Sequence, residues 1–337
     1  MKKLYLLPLL LTATILSANA NNPDELKING KTITVYGNRL KIDGVSYKEG
    51  DVIRIGNGRI NKRIDGSGIE ASETRKAKSF NSINSTMGID VYLTQGNGEA
   101  IEVKADKNIL PYVKTVVENG VLKVCYEDNI SIKLNKVRTK VYVTAKEIKS
   151  LSTSSSGNII IQGILKANDL TIKTSSSGDI TGNIECAGDL KVSTSSSGDI
   201  VLKGSAANAT ISASSSGDIT ATLRVENDID ISSSSSSDIT MDVTAESCSV
   251  SASSTGEITL KGKCRTAKVN ASSSGEIDME NMECEDVVAK ASSAGDISLW
   301  ATQSLEASAS SGGEIEYRGN PTVKNISKSS GGTVKKD

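Results

Sequence analysis

The residues with the greatest chemical capacity in this chain are carboxylates set at a regular interval. Asp179, Asp199, Asp218, Asp238, Glu257, Glu276, Asp296 and Glu314 follow one another at steps of 18 to 20 residues, with Asn158 and Thr333 at the two ends of the series. Such a series permits three chemistries. Carboxylate oxygens can hold a hard cation such as calcium. Two of them, for instance Asp218 and Asp238, could serve as acid and base in cleaving a polysaccharide. Or they can line a solvated edge and do no chemistry. Asp and Glu interchange along the series, and fixed coordination geometry resists a change of side-chain length. The solvated edge is therefore expected. The column stands as a weak ligand candidate, and no catalytic, cofactor-binding or metal-binding residue is assigned.

Histidine is absent from all 337 residues. That removes imidazole as general base, triad member and metal ligand, so any enzymatic reading must rely on carboxylates, lysine or tyrosine. The cysteines are Cys125, Cys186, Cys248, Cys264 and Cys284, with no CxxC and no zinc-type spacing. Free thiols packed as small core residues are the plain expectation.

The element that must position these groups is a repeat. From Ser154 onward the phrase Ser-Ser-small-Gly-acid-Ile recurs, its glycine place falling at Gly157, Gly178, Gly198, Gly217, Ser237, Gly256, Gly275, Gly295, Gly313 and Gly332. Two residues after it runs a β-branched series, Ile159, Ile180, Ile200, Ile219, Ile239, Ile258, Ile277, Ile297, Ile315 and Val334. Six residues before it runs an apolar one, Leu151, Ile172, Val192, Ile211, Ile231, Val250, Val269, Ala289, Ala307 and Ile326. Between them the alternation has period two, which means strand. A coil of this length cannot bury its apolar face alone, but stacked coils share a continuous core. The expectation is an all-β fold with a parallel β-helix of about ten C-terminal coils and a β-rich N-terminal head.

Parity within a coil places Ser196 inside, beside the glycine, and Ser195 outside. It also points Cys186, Cys248 and Cys264 inward. Cys264 and Cys284 stand at equivalent places on adjacent coils, where a disulfide is sterically conceivable.

The first residues read as an export signal: Lys2 and Lys3, the mostly apolar Leu4 to Leu16, and the small-residue site Ala18-Asn19-Ala20. Cleavage there leaves 37 basic against 40 acidic residues, with no basic stripe of the kind nucleic acid requires. The expected organisation is a signal peptide over 1–20, an N-terminal β segment over 21–55, a head region over 56–150 and β-helix repeats over 151–337. In the segment Thr32 to Tyr47, turn pairs at Gly37-Asn38 and Asp43-Gly44 imply a small meander. Further strands read at Ile89 to Thr94, Ile101 to Val103, Val121 to Tyr126 and Lys140 to Thr144. The tyrosines of this half serve as core first. If a glycan is bound, they offer the stacking surface.

Gly66-Ser67-Gly68, Phe80-Asn81-Ser82-Ile83 and Ile89-Asp90-Val91-Tyr92-Leu93-Thr94-Gln95-Gly96 resemble the head-GIN-domain family of auto-transporter adhesins. So do Val103-Lys104-Ala105-Asp106 with Asn108-Ile109-Leu110, Asn119-Gly120-Val121-Leu122-Lys123-Val124, and Ser177-Gly178-Asp179-Ile180 with its later copies. The resemblance covers roughly residues 56 to 337. It implies a right-handed, pectin-lyase-like β-helix, no established catalytic residue and a role in adhesion. The sequence departs from the family pattern in carrying more coils, and Ser where the first Gly often stands. The implied protein is an exported, non-enzymatic adhesin-like or scaffolding protein at the periplasm or cell surface. Its partner would be a glycan or protein surface, with no nucleic acid and no integral membrane segment after signal cleavage. A polysaccharide-processing enzyme and a calcium-binding repeat surface are the alternatives.

Overall fold

A computed structural model describes residues 24–28, 31–36, 39–42, 45–47, 52–56 and 59–337, with side chains from Arg63 onward. The proposed signal segment and the turn pairs at Gly37-Asn38 and Asp43-Gly44 lie outside the described residues. The described residues form two compact units, one of those up to residue 71 with 105–113 and 126–138, the other of residues 72–104, 114–125 and 139–337. The fold is all-β. Its described residues contain no α-helix, only a 3-10 turn at Leu110–Tyr112.

In the first unit, Asp24–Ile28, Lys31–Tyr36, Arg39–Ile42 and Val45–Tyr47 form a four-stranded antiparallel sheet in chain order. Ile33 pairs with Ile42 and Leu40 with Tyr47, the meander that the alternation implied. Val52–Gly56 and Arg59–Asp65 make a hairpin, and Ile130–Lys133 joins its second strand in parallel. The Gly66-Ser67-Gly68 stretch then wraps a carboxylate. Gly68 N–H donates to Asp106 Oδ1 at 2.6 Å, while Asn108 accepts from Ser67 N–H at 2.9 Å and donates to the Asp65 carbonyl at 2.8 Å. A Cβ on Gly66 would stand 2.2 Å from Asp106 Oδ2. A side chain there would have to displace that carboxylate.

The second unit is the β-helix. Each coil contributes one strand ahead of the corner and one after it, and like strands of successive coils pair in parallel. The post-corner series pairs residue for residue from Ile159 through Ile200 and Ile219 to Val334, all of it buried. The pre-corner series does the same from Leu151 to Ile326. Ile326 is its exception at 41% exposed, being covered from one side. The ten corners span about nine turns. Fully burying one isoleucine contributes roughly 1.5–3 kcal/mol, so two unbroken ladders supply a large share of the driving force.

The stack also takes in strands ahead of the first Ser-Ser corner. Ser82–Ser85 pairs in parallel with Ser150–Thr153, setting Ile83 on Leu151, and Asp90–Gln95 pairs with Asn158–Ala167, setting Val91 on Ile159. Val121–Tyr126 and Lys140–Ala145 add one further parallel layer, and Ala100–Asp106 then closes Lys140–Ala145 from the other side as an antiparallel strand. An antiparallel neighbour ends the parallel stacking there.

The corner differs from the parity expectation. Ser196 is exposed and Ser195 half-buried, so the inward Ser196 is corrected. The residue two before the glycine place has positive φ in all ten corners, from Ser155 to Ser330, with values of 47 to 62°. In most corners the next residue does too, as at Ser274 with 62°. The glycine N–H then closes the turn, Gly275 donating to the Ser272 carbonyl at 2.9 Å. Two successive left-handed residues make a turn of the type I′ kind; at Ser196, where the next residue is not left-handed, the single positive φ of 62° already interrupts the strand alternation on which the parity count relied. The inward hydroxyls stand instead four places before the glycine place. Thr174 Oγ1 donates to Thr194 Oγ1 at 2.8 Å, and Thr194 in turn bonds the Gly198 carbonyl.

An L-residue in the left-handed region costs roughly 1–2 kcal/mol, most for β-branched side chains. Ser273→Val, at an exposed site with φ of 51°, is therefore expected to destabilise by about 1–2 kcal/mol. Ser273→Gly should stay within about 0.5 kcal/mol of the parent, its relief offset by chain entropy. Urea titration of the three proteins measures both; equal midpoints for Val and Ser would contradict the corner geometry.

Candidate functional site

The corner fixes the acidic residue immediately after the glycine place on the outer edge, and the eight carboxylates form one column along the stack. In the first coils these carboxylates already have partners. Asp199 N–H donates to Asp179 Oδ1 at 3.2 Å, and Asp238 N–H to Asp218 Oδ1 at 3.3 Å. The series extends backward through Asn158, which accepts from Asp179 N–H at 3.1 Å and donates to Asp90 Oδ1 at 3.0 Å. From Glu257 onward the pattern changes. Glu257 N–H donates to the Ser237 carbonyl, Glu276 N–H to that of Gly256 and Glu314 N–H to that of Gly295, at 2.9 to 3.0 Å. Where the backbone amide relies on a side chain in the preceding coil, that side chain is the short Asp or Asn. Where the backbone carbonyl serves instead, Glu is admitted. Asp296 N–H likewise donates to the Gly275 carbonyl at 3.0 Å, so Asp also stands where a carbonyl serves.

Stacked carboxylates repel one another. At the usual strand spacing of about 4.8 Å the cost in water is roughly 0.9 kcal/mol per neighbouring pair. Partial burial first, then the carboxylates of Asp179 and Asp218, push the Asp199 carboxyl above its ordinary value of 3.8. Burial with Asp238 and Glu276 does the same to Glu257, and burial with Glu314 to Asp296. A carboxyl whose folded pKa is raised holds its proton in the native state at a pH where the unfolded chain has lost it. Its ionisation therefore opposes folding as pH rises through the folded value. These groups make the fold lose stability as pH rises from the ordinary carboxyl range through their raised folded values, and Glu257→Gln, which removes one charge without removing an Asp-to-amide bond, should flatten that slope. Thermal melts across this range check it; a slope unchanged in the variant would contradict the electrostatic account.

Two other surfaces offer contact chemistry. Tyr92 and Tyr142, neighbours in register on the outer face, stack with ring centroids 5.0 Å apart and planes 18° from parallel. Lys104 lies 4.8 Å from the Tyr142 ring centroid and Lys140 5.9 Å from that of Tyr92. In the last coils a groove of about 590 Å³ crosses several strands between columns that include Lys268, Asp286, Val288, Glu306 and Asn325. Among the described residues no cluster of three or more acidic, cysteine or histidine groups is arranged to hold a metal, and no helix is long and apolar enough to cross a membrane.

The cysteines expected inward, Cys186, Cys248 and Cys264, are buried, as is Cys284, while Cys125 is half-buried. No disulfide joins any of the five in this structure. Cys264 and Cys284 are register partners with sulfurs 3.3 Å apart.

The second unit is thus a regular parallel β-helix whose acidic column takes part in its own hydrogen bonding. The family profile described as "Putative auto-transporter adhesin, head GIN domain" matches residues 79–227 and 222–321, and the chain belongs to that family. Among solved structures, an adhesin described as putative from Parabacteroides merdae shares the fold, with 20% identity and a TM-score of 0.51 over 82% of this chain and 99% of that one. A second such adhesin, from Parabacteroides distasonis, has 21% identity and a TM-score of 0.49 over 82% of this chain and all of its own. A protein from Parabacteroides distasonis described as a lipid-binding protein has 26% identity and a TM-score of 0.46 with the same coverage. No curated protein matches.

Proposed function

We propose that the chain is an exported, non-enzymatic protein of the bacterial envelope, adhesin-like or scaffolding, that works by presenting the outer faces of its coils to a glycan or protein surface. The observation that supports this most is the fate of the acidic column. Its upper carboxylates accept backbone amides from the next coil, which leaves them building the edge rather than poised as acid and base. The coils also keep nearly equal length, from 18 to 21 residues between glycine places, without the long loops in which binding and catalytic groups are usually carried. The Tyr92–Tyr142 stack is the surface best suited to a sugar face, which packs on aromatic rings.

Localisation is tested by protease shaving of intact cells carrying a tagged chain. Surface display predicts loss of the tag from intact cells, and a periplasmic scaffold predicts loss only after the outer membrane is opened. Retention in the cytoplasmic fraction with the first 20 residues uncleaved would overturn the export reading. Glycan-array binding of the purified chain, weakened by Tyr142→Ala, tests the contact face.

A further inference from the structure

The last coils contain three buried thiols that nothing in the fold requires to be cysteine. Cys264 and Cys284 occupy the same place on successive parallel strands, Ala245 preceding them in that column and Ala301 following. The column therefore tolerates a methyl group. Cys264 is 5% exposed, Cys284 1% and Cys248 1%. The Cys264 and Cys284 sulfurs lie 3.3 Å apart, and Cys248 is hydrogen-bonded to Cys264 as well.

We propose that Cys264 and Cys284 are the two halves of a disulfide that staples adjacent coils, with Cys248 left reduced. In-register neighbours on parallel strands stand about 4.8 Å apart, inside the Cα separation a disulfide spans. Cys248 is register partner to Ala267, not to Cys264, so the stacking that aligns the first pair leaves the third thiol offset. The hydrogen bonds to Cys264 and burial push the Cys248 and Cys284 thiols up, whereas its hydrogen bonds with both neighbours hold Cys264 down.

The oxidant is an organic disulfide. The Cys264 thiolate attacks one sulfur of the donor, the donor's S–S bond breaks, and its departing thiolate takes up the displaced proton. The Cys284 sulfur then attacks the Cys264 side of the mixed disulfide. The protein S–S bond forms and a second donor thiol leaves, so the two cysteines lose two electrons and two protons and the donor gains them. Because the thiols are buried once folded, the exchange belongs to folding. The inference does not depend on the export reading, since the donor can be supplied in solution.

The purified chain, unfolded and reduced, is refolded with a mixture of oxidised and reduced glutathione, alkylated in denaturant and mapped by mass spectrometry without reduction. The expected result is one linked peptide pair joining Cys264 to Cys284, two hydrogens lighter than the separate peptides, with Cys125, Cys186 and Cys248 alkylated. Cys248→Ser should keep the link and Cys284→Ala should abolish it. The oxidised protein should melt several degrees above the same protein treated with reductant, as closing a loop of this length leads one to expect. Five alkylated cysteines, glutathione retained on Cys264, or a link through Cys248 would each overturn the assignment.

Discussion

Ile219→Ala is expected to destabilise the β-helix by about 3–4 kcal/mol, measured as the shift in urea midpoint at constant slope. Ile219 is 1% exposed and packed in register between Ile200 above and Ile239 below. Truncation removes three carbons from the centre of a ladder whose neighbours are themselves held by strand pairing, so the space cannot close. The adjacent Thr220 is exposed on the same strand. Thr220→Ala should change stability by no more than about 0.5 kcal/mol, as surface substitutions usually do. Solenoid coils contact only their neighbours. The interior change should thus weaken the coils on both sides of it, and hydrogen exchange should quicken there before it does near Ile83 and Val91.

The second large effect is expected at the corner. A Cβ on Gly275 would lie 2.5 Å from both the carbonyl carbon and oxygen of Ala252, in the coil before it. Those are backbone atoms held in the ladder, so no side-chain rotation relieves the overlap. Gly275→Val is expected to cost about 3 kcal/mol, the upper part of the usual range for overpacking. Ser237 shows what a side chain at this place demands. It is fully buried, and its hydroxyl donates to the Ser234 carbonyl at 2.9 Å and meets Ser233 Oγ at 2.8 Å. Ser233 stands where later coils carry Ala252 and Ala271. Gly275→Ser would lack that hydroxyl partner and should also destabilise, though less than Val.

The ladders were legible in the sequence because like residues recur at a near-constant interval, and a stack converts that interval directly into contact. Ile200 and Ile219 needed no information beyond spacing and period. The layer at Ser82–Ser85 and Asp90–Gln95 was hidden for a specific reason: the glycine place there is taken by Ile89, buried in the core. With Met87 and Gly88 supplying the positive φ, it lacks the Ser-Ser-Gly phrase by which the other corners are recognised. The Ser196 orientation escapes a period-two count because Ser196 is itself left-handed, with φ of 62°, and breaks the alternation there. The acidic column follows from spacing alone, but which of its backbone amides bond a side chain of the preceding coil rather than a carbonyl does not, since that depends on the geometry of each corner. Proximity of Cys248 to Cys264 was likewise invisible, being a contact between residues out of register.

Successive coils lie in register, and cross-linking reads that register out. In a chain with its native cysteines replaced, Thr220 and Thr240 are exposed register partners on neighbouring strands. Thr220→Cys with Thr240→Cys should form an intramolecular disulfide rapidly and nearly to completion under mild oxidation, whereas Thr220→Cys with Asp242→Cys, displaced by two residues along the strand, should not. Equal rates for the two pairs, or a faster bond in the displaced pair, would contradict the stacked register on which the fold and its proposed function both stand.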